Sequence, residues 1–186
     1  PVISQLRELN LNVYVADPSN MNELLSSIRE IGKVTNKLNE ALFLTKKMED
    51  EVEAVSSKVK LIPQKDKVKV FIEIWHEPLM TAARGSFVDE LITLAGGINI
   101  AHDLIRPYCN FSAEKVISLN PQCIIMAYMD KESPLRLVKQ RFGWDKIDAV
   151  KDGRVFNDIS SDILLRPGPR ITQGLNEIYK KLYPKG

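Results

Sequence analysis

The stretch NKLNEALFLTKKMEDEVEAVSSKVKLIPQKDKVKVFIEI, residues 36–74, decides how this chain is built. From Asn36 to Lys60 it contains neither Gly nor Pro. Leu38, Ala41, Leu42, Thr45, Met48, Val52, Val55 and Val59 recur at spacings of three and four, which draws one narrow apolar stripe along an otherwise charged helix. At about 1.5 Å of rise per residue such a helix is roughly 35 to 40 Å long, more than one small domain ordinarily needs. Two readings fit the stripe: a coiled-coil seam, or a rigid strut joining two lobes. Leu61-Ile62-Pro63-Gln64-Lys65-Asp66 then breaks the helix, because proline removes a donor and clashes with the preceding turn. A continuous apolar strand follows.

Downstream of that break the pattern predicts a strand over 68–74, helices over 87–95 and 112–119, a strand over 123–128, a helix over 135–142, a strand over 154–157 and a closing helix over 170–182. Continuous apolar strands alternating with helices imply a mostly parallel sheet flanked by helices on both faces. In such sheets ligands bind at the carboxyl ends of the strands. That rule places Trp75 and His76, Tyr128, and the loop from Asp158 to Arg166 on one rim. Gly96-Gly97 follows a helix and reads as its C-terminal stop.

Upstream of the long helix, PVISQLRELN has Val2, Ile3, Leu6 and Leu9 near helical spacing and runs through Asn10 into the strand-like LNVYVA. That unit has no sheet partner before it, so an upstream part of its domain is expected. DPSNMNELLSSIREIG then offers Ser19 or Asn20 as N-cap, an apolar face of Met21, Leu24, Leu25, Ile28 and Ile31, and Gly32 as the stop. The chain thus divides into residues 1–35, a connecting helix over 36–60 and a compact α/β region over 61–186.

With 186 residues, 44% of them hydrophobic, the chain can bury one or two small cores. Its 26 Lys and Arg against 24 Asp and Glu leave no basic cluster with interleaved aromatics, which argues against nucleic acid. No apolar stretch approaches the roughly 20 residues that a spanning helix needs. Cys123 opens the apolar run CIIMA and reads as a buried thiol, while Cys109 sits in a polar turn, so both read as free.

There is no glycine-rich phosphate loop, no GxSxG elbow and no CxxC pair. With only His76 and His102 available, a dedicated metal cage is not expected, and no catalytic set emerges. Trp75 is either the last core residue of its strand or a flat wall for a large ligand. Arg84 and Arg166 are either solvated or ligand-facing, and the prolines around Arg166 could stiffen its loop to aim a guanidinium at an anion. Tyr108 and Tyr128 could supply hydroxyls or cap the core. Glu114, two residues after the N-cap position Ser112, is adequately explained by the helix dipole.

Four stretches together go further: VTNKLNEA at the start of the long helix, VFIEIWHEPLMTAARGSFVDELITLAGGINIA, FSAEKVISLNPQCIIMA, and LLRPGPRITQGLNEI. In this order they resemble class III substrate-binding proteins of ABC importers, the group that delivers cobalamin, ferric siderophores or haem, over nearly the whole chain. The resemblance implies two α/β lobes joined by one rigid helix, with residues 1–35 as the last part of the N-terminal lobe. It also implies an upstream signal peptide, often a lipid-anchored cysteine, and a place in the periplasm or on the outer face of the cytoplasmic membrane. Carried over by position, Glu114 matches the glutamate that members present to the permease. The cleft wall carried over comprises the Trp75-His76 turn, the region of Arg84 to Ser86 and the loop ending at Arg166, and Tyr108 and Tyr128 are further candidate ligand contacts. Arg84 is a departure, since glycine is common at that position in similar proteins.

The resemblance therefore implies a non-enzymatic receptor without an intrinsic cofactor, monomeric when complete, which captures a metal chelate and hands it to an ABC permease. A corrinoid ranks first because the rim is aromatic and carries few charges. A ferric siderophore would favour convergent arginines, and haem would need an axial Tyr or His. Two rivals differ in class: an enzyme on a similar scaffold, for which Asp158 and Asp162 are the only rim acids, and an interaction domain dimerising through the long helix.

Overall fold

A computed structural model describes residues 2–128 and 133–184; Pro1, the first residue of the expected PVISQLRELN helix, lies outside the described residues. In chain order the elements are α1 (Val2–Glu8), α2 (Met21–Val34), α3 (Leu38–Val59), β1 (Lys69–His76), β2 (Leu79–Ala82), α4 (Phe87–Leu94), β3 (Ile98–Asn99), β4 (Tyr108–Asn110), α5 (Ala113–Leu119), β5 (Cys123–Met126), α6 (Pro134–Lys139), α7 (Asp148–Lys151), β6 (Val155–Phe156), α8 (Ser161–Leu165) and α9 (Ile171–Leu182).

β1 is the hub. On one edge it pairs parallel with β5, which pairs parallel with β6. On the other edge its first residues pair parallel with β3, and its last residues pair antiparallel with β2, which continues to β4. The sheet is therefore mixed: a parallel centre with an antiparallel hairpin flank that the continuous apolar run of 68–74 did not reveal. The hairpin turns through Glu77-Pro78, a cis peptide.

Alternation along β1 and β5 divides two cores. Val70, Ile72, Cys123 and Ile125 face a layer of α2, α3, α4 and α9, with Met48, Leu91 and Ile178 among its buried members. Phe71, Ile124 and Met126 face the other layer, with Phe111, Val116, Val138 and Trp144. Both faces are covered, which is why these strands read as unbroken apolar runs.

The long helix forms as expected, from Leu38 to Val59. Its stripe is used selectively: Ala41, Thr45, Met48 and Val55 are buried, whereas Leu38 and Leu42 remain exposed. The buried line meets α2 on one side and α4 and α9 on the other. Arg29 of α2 clamps this packing by donating to Thr45 at 3.0 Å and pairing with Glu49. Glu90 of α4 accepts from the Met21 amide at 2.8 Å, tying the start of α2 to the same body.

Of the two N-cap candidates for α2, Asn20 is the one used, its side chain accepting from the Glu23 amide. Three local expectations change. Gly32 does not stop α2, which runs on to Val34; the left-handed residue after it is Asn36, with φ 57°. Gly32 serves instead as a contact point, since a Cβ there would lie 2.4 Å from the Ala41 Cβ. LNVYVA forms no strand, and Leu11, Tyr14 and Val15 are exposed. Strand preference reflects packing against neighbours more than backbone bias, and no strand among the described residues pairs with this segment. Near the other end, the helix expected over 135–142 stops at Lys139, because residues 141–144 turn away to bring Trp144 into the core.

The Gly96-Gly97 stop is present: α4 ends at Leu94 and Gly96 adopts φ 79°. Cys109 and Cys123 are both free thiols. Burial pushes the Cys123 thiol up to about 12, whereas Cys109 is half-buried on β4. A thiol-reactive probe at pH 8 should therefore modify one cysteine, Cys109, in the folded protein and both after denaturation, because only an accessible thiolate reacts. Rapid labelling of Cys123 in the native state would contradict the packing of β5.

Candidate functional site

The expected single rim is two separate places. The first is a surface hollow of about 530 Å³ built from Asp17–Ser19, Gly85–Phe87, Arg106–Tyr108, Leu165 and Pro167. Four segments distant in sequence thus converge. Ser86 is positioned by two bonds: its Oγ accepts from the Asp89 amide as the N-cap of α4 and donates to the Ala83 carbonyl at 2.7 Å. Tyr108 lines this hollow from β4, and burial raises its phenol above the ordinary tyrosine range.

Arg84 and Arg166 flank the hollow without lining it. Arg84 donates from Nε to His102 Nε2 at 3.2 Å and pairs with Asp103 at 3.1 Å. His102 in turn contacts the buried Asp89 through Nδ1 at 2.9 Å, and Asn99 donates to the same carboxylate at 2.8 Å. Arg84 is therefore held by a loop-to-helix network and is not a freely solvated cation. Arg166 pairs with Asp162 at 3.2 Å, four residues earlier. Arg106, which the sequence reading missed, is the cation that lines the hollow, whose lining also includes Asp17. Its only sequence signal is the following Pro107; nothing in IRPYC distinguishes it from a solvated arginine.

The second place lies at the end of β1. Trp75, His76 and Tyr128 pack ring on ring, with centroids 5.0, 5.8 and 5.4 Å apart. Trp75 is 48% exposed and donates from Nε1 to the Glu77 carbonyl at 3.0 Å, so it is not a core residue. Beneath these rings sits Glu73, wholly buried at the point where the β1–β2 register shifts. Arg141 binds it with two nitrogens at 2.6 and 2.7 Å, and the Tyr128 hydroxyl donates to it. Arg141 also lies 4.5 Å over the Trp144 ring.

Electrostatics follow from this geometry. Burial of the Arg141 guanidinium opposes its charge, but the Glu73 hydrogen bonds and negative charge more than offset that, and its pKa is raised. Tyr128 is raised well above the usual phenol range, first by burial and then by its bond to the Glu73 carboxylate. Beside this cluster a second hollow, about 420 Å³, is lined by His76, Leu79, Glu114, Ile117, Arg141, Phe142 and others. Glu114 projects from the first turn of α5, after Ser112 caps that helix by accepting from the Lys115 amide at 3.1 Å. Among the described residues no group of three His, Cys, Asp or Glu side chains could hold a metal ion. Asp158 pairs with Lys181 and Asp162 with Arg166.

The body is three-layered α/β, with a long packed helix and an open hollow of about 530 Å³. The chain matches the family described as periplasmic binding protein over residues 3–160, and it belongs to that family. It is 30% identical over 184 residues to an uncharacterized ABC transporter substrate-binding lipoprotein, YvrC, of Bacillus subtilis, covering 98% of this chain and 57% of that protein. It is 24% identical over 181 residues to a vitamin B12-binding protein of Salmonella choleraesuis, covering 97% of this chain and 64% of that one. Among solved structures it is similar to a possible iron-binding periplasmic protein of Staphylococcus epidermidis. That likeness has a TM-score of 0.85 and 28% identity, with 98% of this chain and 70% of that one covered. The vitamin B12-binding protein of Vibrio cholerae shares the fold, with a TM-score of 0.80 at 20% identity over 98% of this chain and 69% of that chain. The chain thus spans less than two thirds of the length of these curated relatives.

The Glu73–Arg141 pair gives a stability test. Arg141→Met leaves a wholly buried carboxylate with the Tyr128 hydroxyl as its one remaining partner among the described residues, and should cost on the order of 3 kcal/mol. Glu73→Gln leaves a partly exposed guanidinium and should cost less. Urea midpoints of the two variants measure the order, and the reverse order would show that Glu73 is neutralised by another route.

Proposed function

We propose that this chain is the ligand-capturing part of an ABC importer's substrate-binding protein, taking a metal chelate outside the cytoplasmic membrane and delivering it to a permease. In this reading residues 61–186 form the C-terminal lobe, 36–60 the connecting helix and 1–35 the end of the N-terminal lobe. The hollow of Asp17–Ser19, Gly85–Phe87, Arg106–Tyr108, Leu165 and Pro167 carries the reading, because it draws on segments from both ends of the long helix. Membership in the family and relatives named for vitamin B12, haem and iron support it.

A packed inter-lobe helix favours small lobe movements, so recognition relies on a largely preformed cleft. Tyr108 provides an aromatic wall and Arg106 a cation, while the neighbouring Arg84 and Arg166 are each paired with an aspartate outside the lining. A corrinoid or a ferric siderophore fits this lining ahead of haem. Axial coordination by Tyr108 would require its phenolate, and burial disfavours that form. Trp75, His76 and Tyr128 lie with the other hollow, and we assign them to the framework around Glu73 in preference to ligand contact.

The test uses the full-length protein, with any sequence that precedes residue 1 in its gene. It is mixed in turn with cobalamin, a ferric siderophore set and haemin, freed of unbound ligand by gel filtration, and read by its visible spectrum. A chromophore retained by the wild type, lost in Tyr108→Ala and kept in Trp75→Ala is the expected result. Colourless protein with every chelate would remove the receptor reading. Loss in Trp75→Ala alone would move the ligand to the aromatic cluster.

A further inference from the structure

His102 bridges two groups of opposite charge. Its Nδ1 lies 2.9 Å from the Asp89 carboxylate, and its Nε2 lies 3.2 Å from Arg84 Nε. The arginine nitrogen can only donate, so Nε2 is the acceptor and the single ring proton sits on Nδ1, donated to Asp89. The imidazole is neutral in this arrangement. Asp89 is buried and receives a second bond from Asn99 at 2.8 Å. It also belongs to the first turn of α4, where the helix amides favour a negative charge.

A second proton on His102 breaks one side of this bridge. Nε2 becomes a donor, can no longer accept from Arg84, and sets two cations against each other. One contact must open. Opening the Asp89 side would leave a buried carboxylate with Asn99 as its one remaining side-chain partner among the described residues. The Arg84 guanidinium, by contrast, is 63% exposed and is readily solvated. Arg84 therefore leaves and the imidazolium stays with Asp89. The remaining partner of Arg84 is Asp103, 96% exposed, and so open a pair holds an arginine weakly. Among the described residues the charged groups that face His102 are Asp89 from α4, Arg84 from the β2–α4 loop and, through Arg84, Asp103. Lys115 of α5 shares a surface groove with Asp103 without bonding to His102.

The released side chain stands beside the ligand hollow. Arg84 directly precedes Gly85 and Ser86, which line that hollow together with Arg106. Resting on the receptor reading above, we infer that His102 is a pH-operated latch on Arg84. Neutral, it keeps the guanidinium off the hollow; protonated, it releases Arg84 to join Arg106 in binding the ionised oxygens of an anionic ligand. His102 acts through Arg84 and is a positioning residue. Because release accompanies protonation, affinity for anions rises as the pH falls.

The experiment follows the arginine Nε–H signals of the full-length protein by 1H–15N NMR between about pH 8 and pH 5.5, the span in which histidine changes charge. Sodium sulfate, whose charge is constant over that span, is titrated at each end and read at the Arg106 signal. Arg84→Lys assigns the Arg84 signal by its loss. As the pH falls, that signal should move to the position of a solvated arginine with the same midpoint as the His102 ring, and sulfate should bind about fivefold tighter, the upper end for one exposed ion pair. His102→Asn keeps a donor at the Nδ1 position for Asp89 and offers nothing to Arg84. It should show the solvated Arg84 signal and the wild type's low-pH sulfate affinity at both pH values. Separate midpoints for Arg84 and His102 in the wild type, or a wild-type pH response retained by His102→Asn, would overturn the latch; if that variant fails to fold, the wild-type midpoints decide alone. An Arg84 signal that moves while sulfate affinity does not would overturn the ligand role. The chelate screen tests the receptor reading separately: colourless protein there with the expected Arg84 and sulfate responses here would remove the receptor and keep the latch on an anion site.

Discussion

A carboxylate with no exposed surface must find its counter-charge inside the protein, and much of the sheet and its surroundings is arranged around that requirement. Glu73 occupies the register shift of β1, the strand that all other parts of the sheet refer to. Its neutralisation by Arg141 fixes the turn after α6, and its acceptance of the Tyr128 hydroxyl fixes the end of β5. Removing water from a charge is costly, so these partners are held to one geometry. The rings of Trp75, His76 and Tyr128 above, and of Trp144 below, take their positions from the same point.

The long helix meets a different constraint. An isolated amphipathic helix gains little from propensity, and its stability comes from the face it buries. Here α2, α4 and α9 cover that face, with Gly32 allowing α2 to approach at Ala41. The helix is consequently part of the core facing Val70 and Ile72 as well as the connector between the chain's two ends. The hollow that draws Asp17 and Pro18 toward Tyr108 and Pro167 depends on that packing.

Much of the architecture was legible in the chain: the Gly- and Pro-free helix, the apolar runs of β1 and β5, the Ser112 cap, and the Gly96 stop each announce themselves by local chemistry. The short β2, β3 and β4 did not, because two to four residues carry no period of their own. Gly32 misled for a related reason, since its missing Cβ serves a contact with Ala41 that no neighbouring residue reports. LNVYVA has the composition of a strand but not the partner that composition presupposes.

The sequence by itself determined which segments could form helices and buried strands, that no local motif for catalysis is present, and which family the four longer stretches resemble. Those properties are set by residues close together along the chain. Only the tertiary structure decided that Trp75 and Tyr108 belong to different surfaces, that Arg106 lines a hollow while Arg84 is held by His102 and Asp103, and that Phe142 stands exposed beside Glu114. Each of those facts is a meeting, or a failure to meet, of residues far apart in the chain, and it follows from how β1, its hairpin and the turn at Arg141 pack around one buried charge.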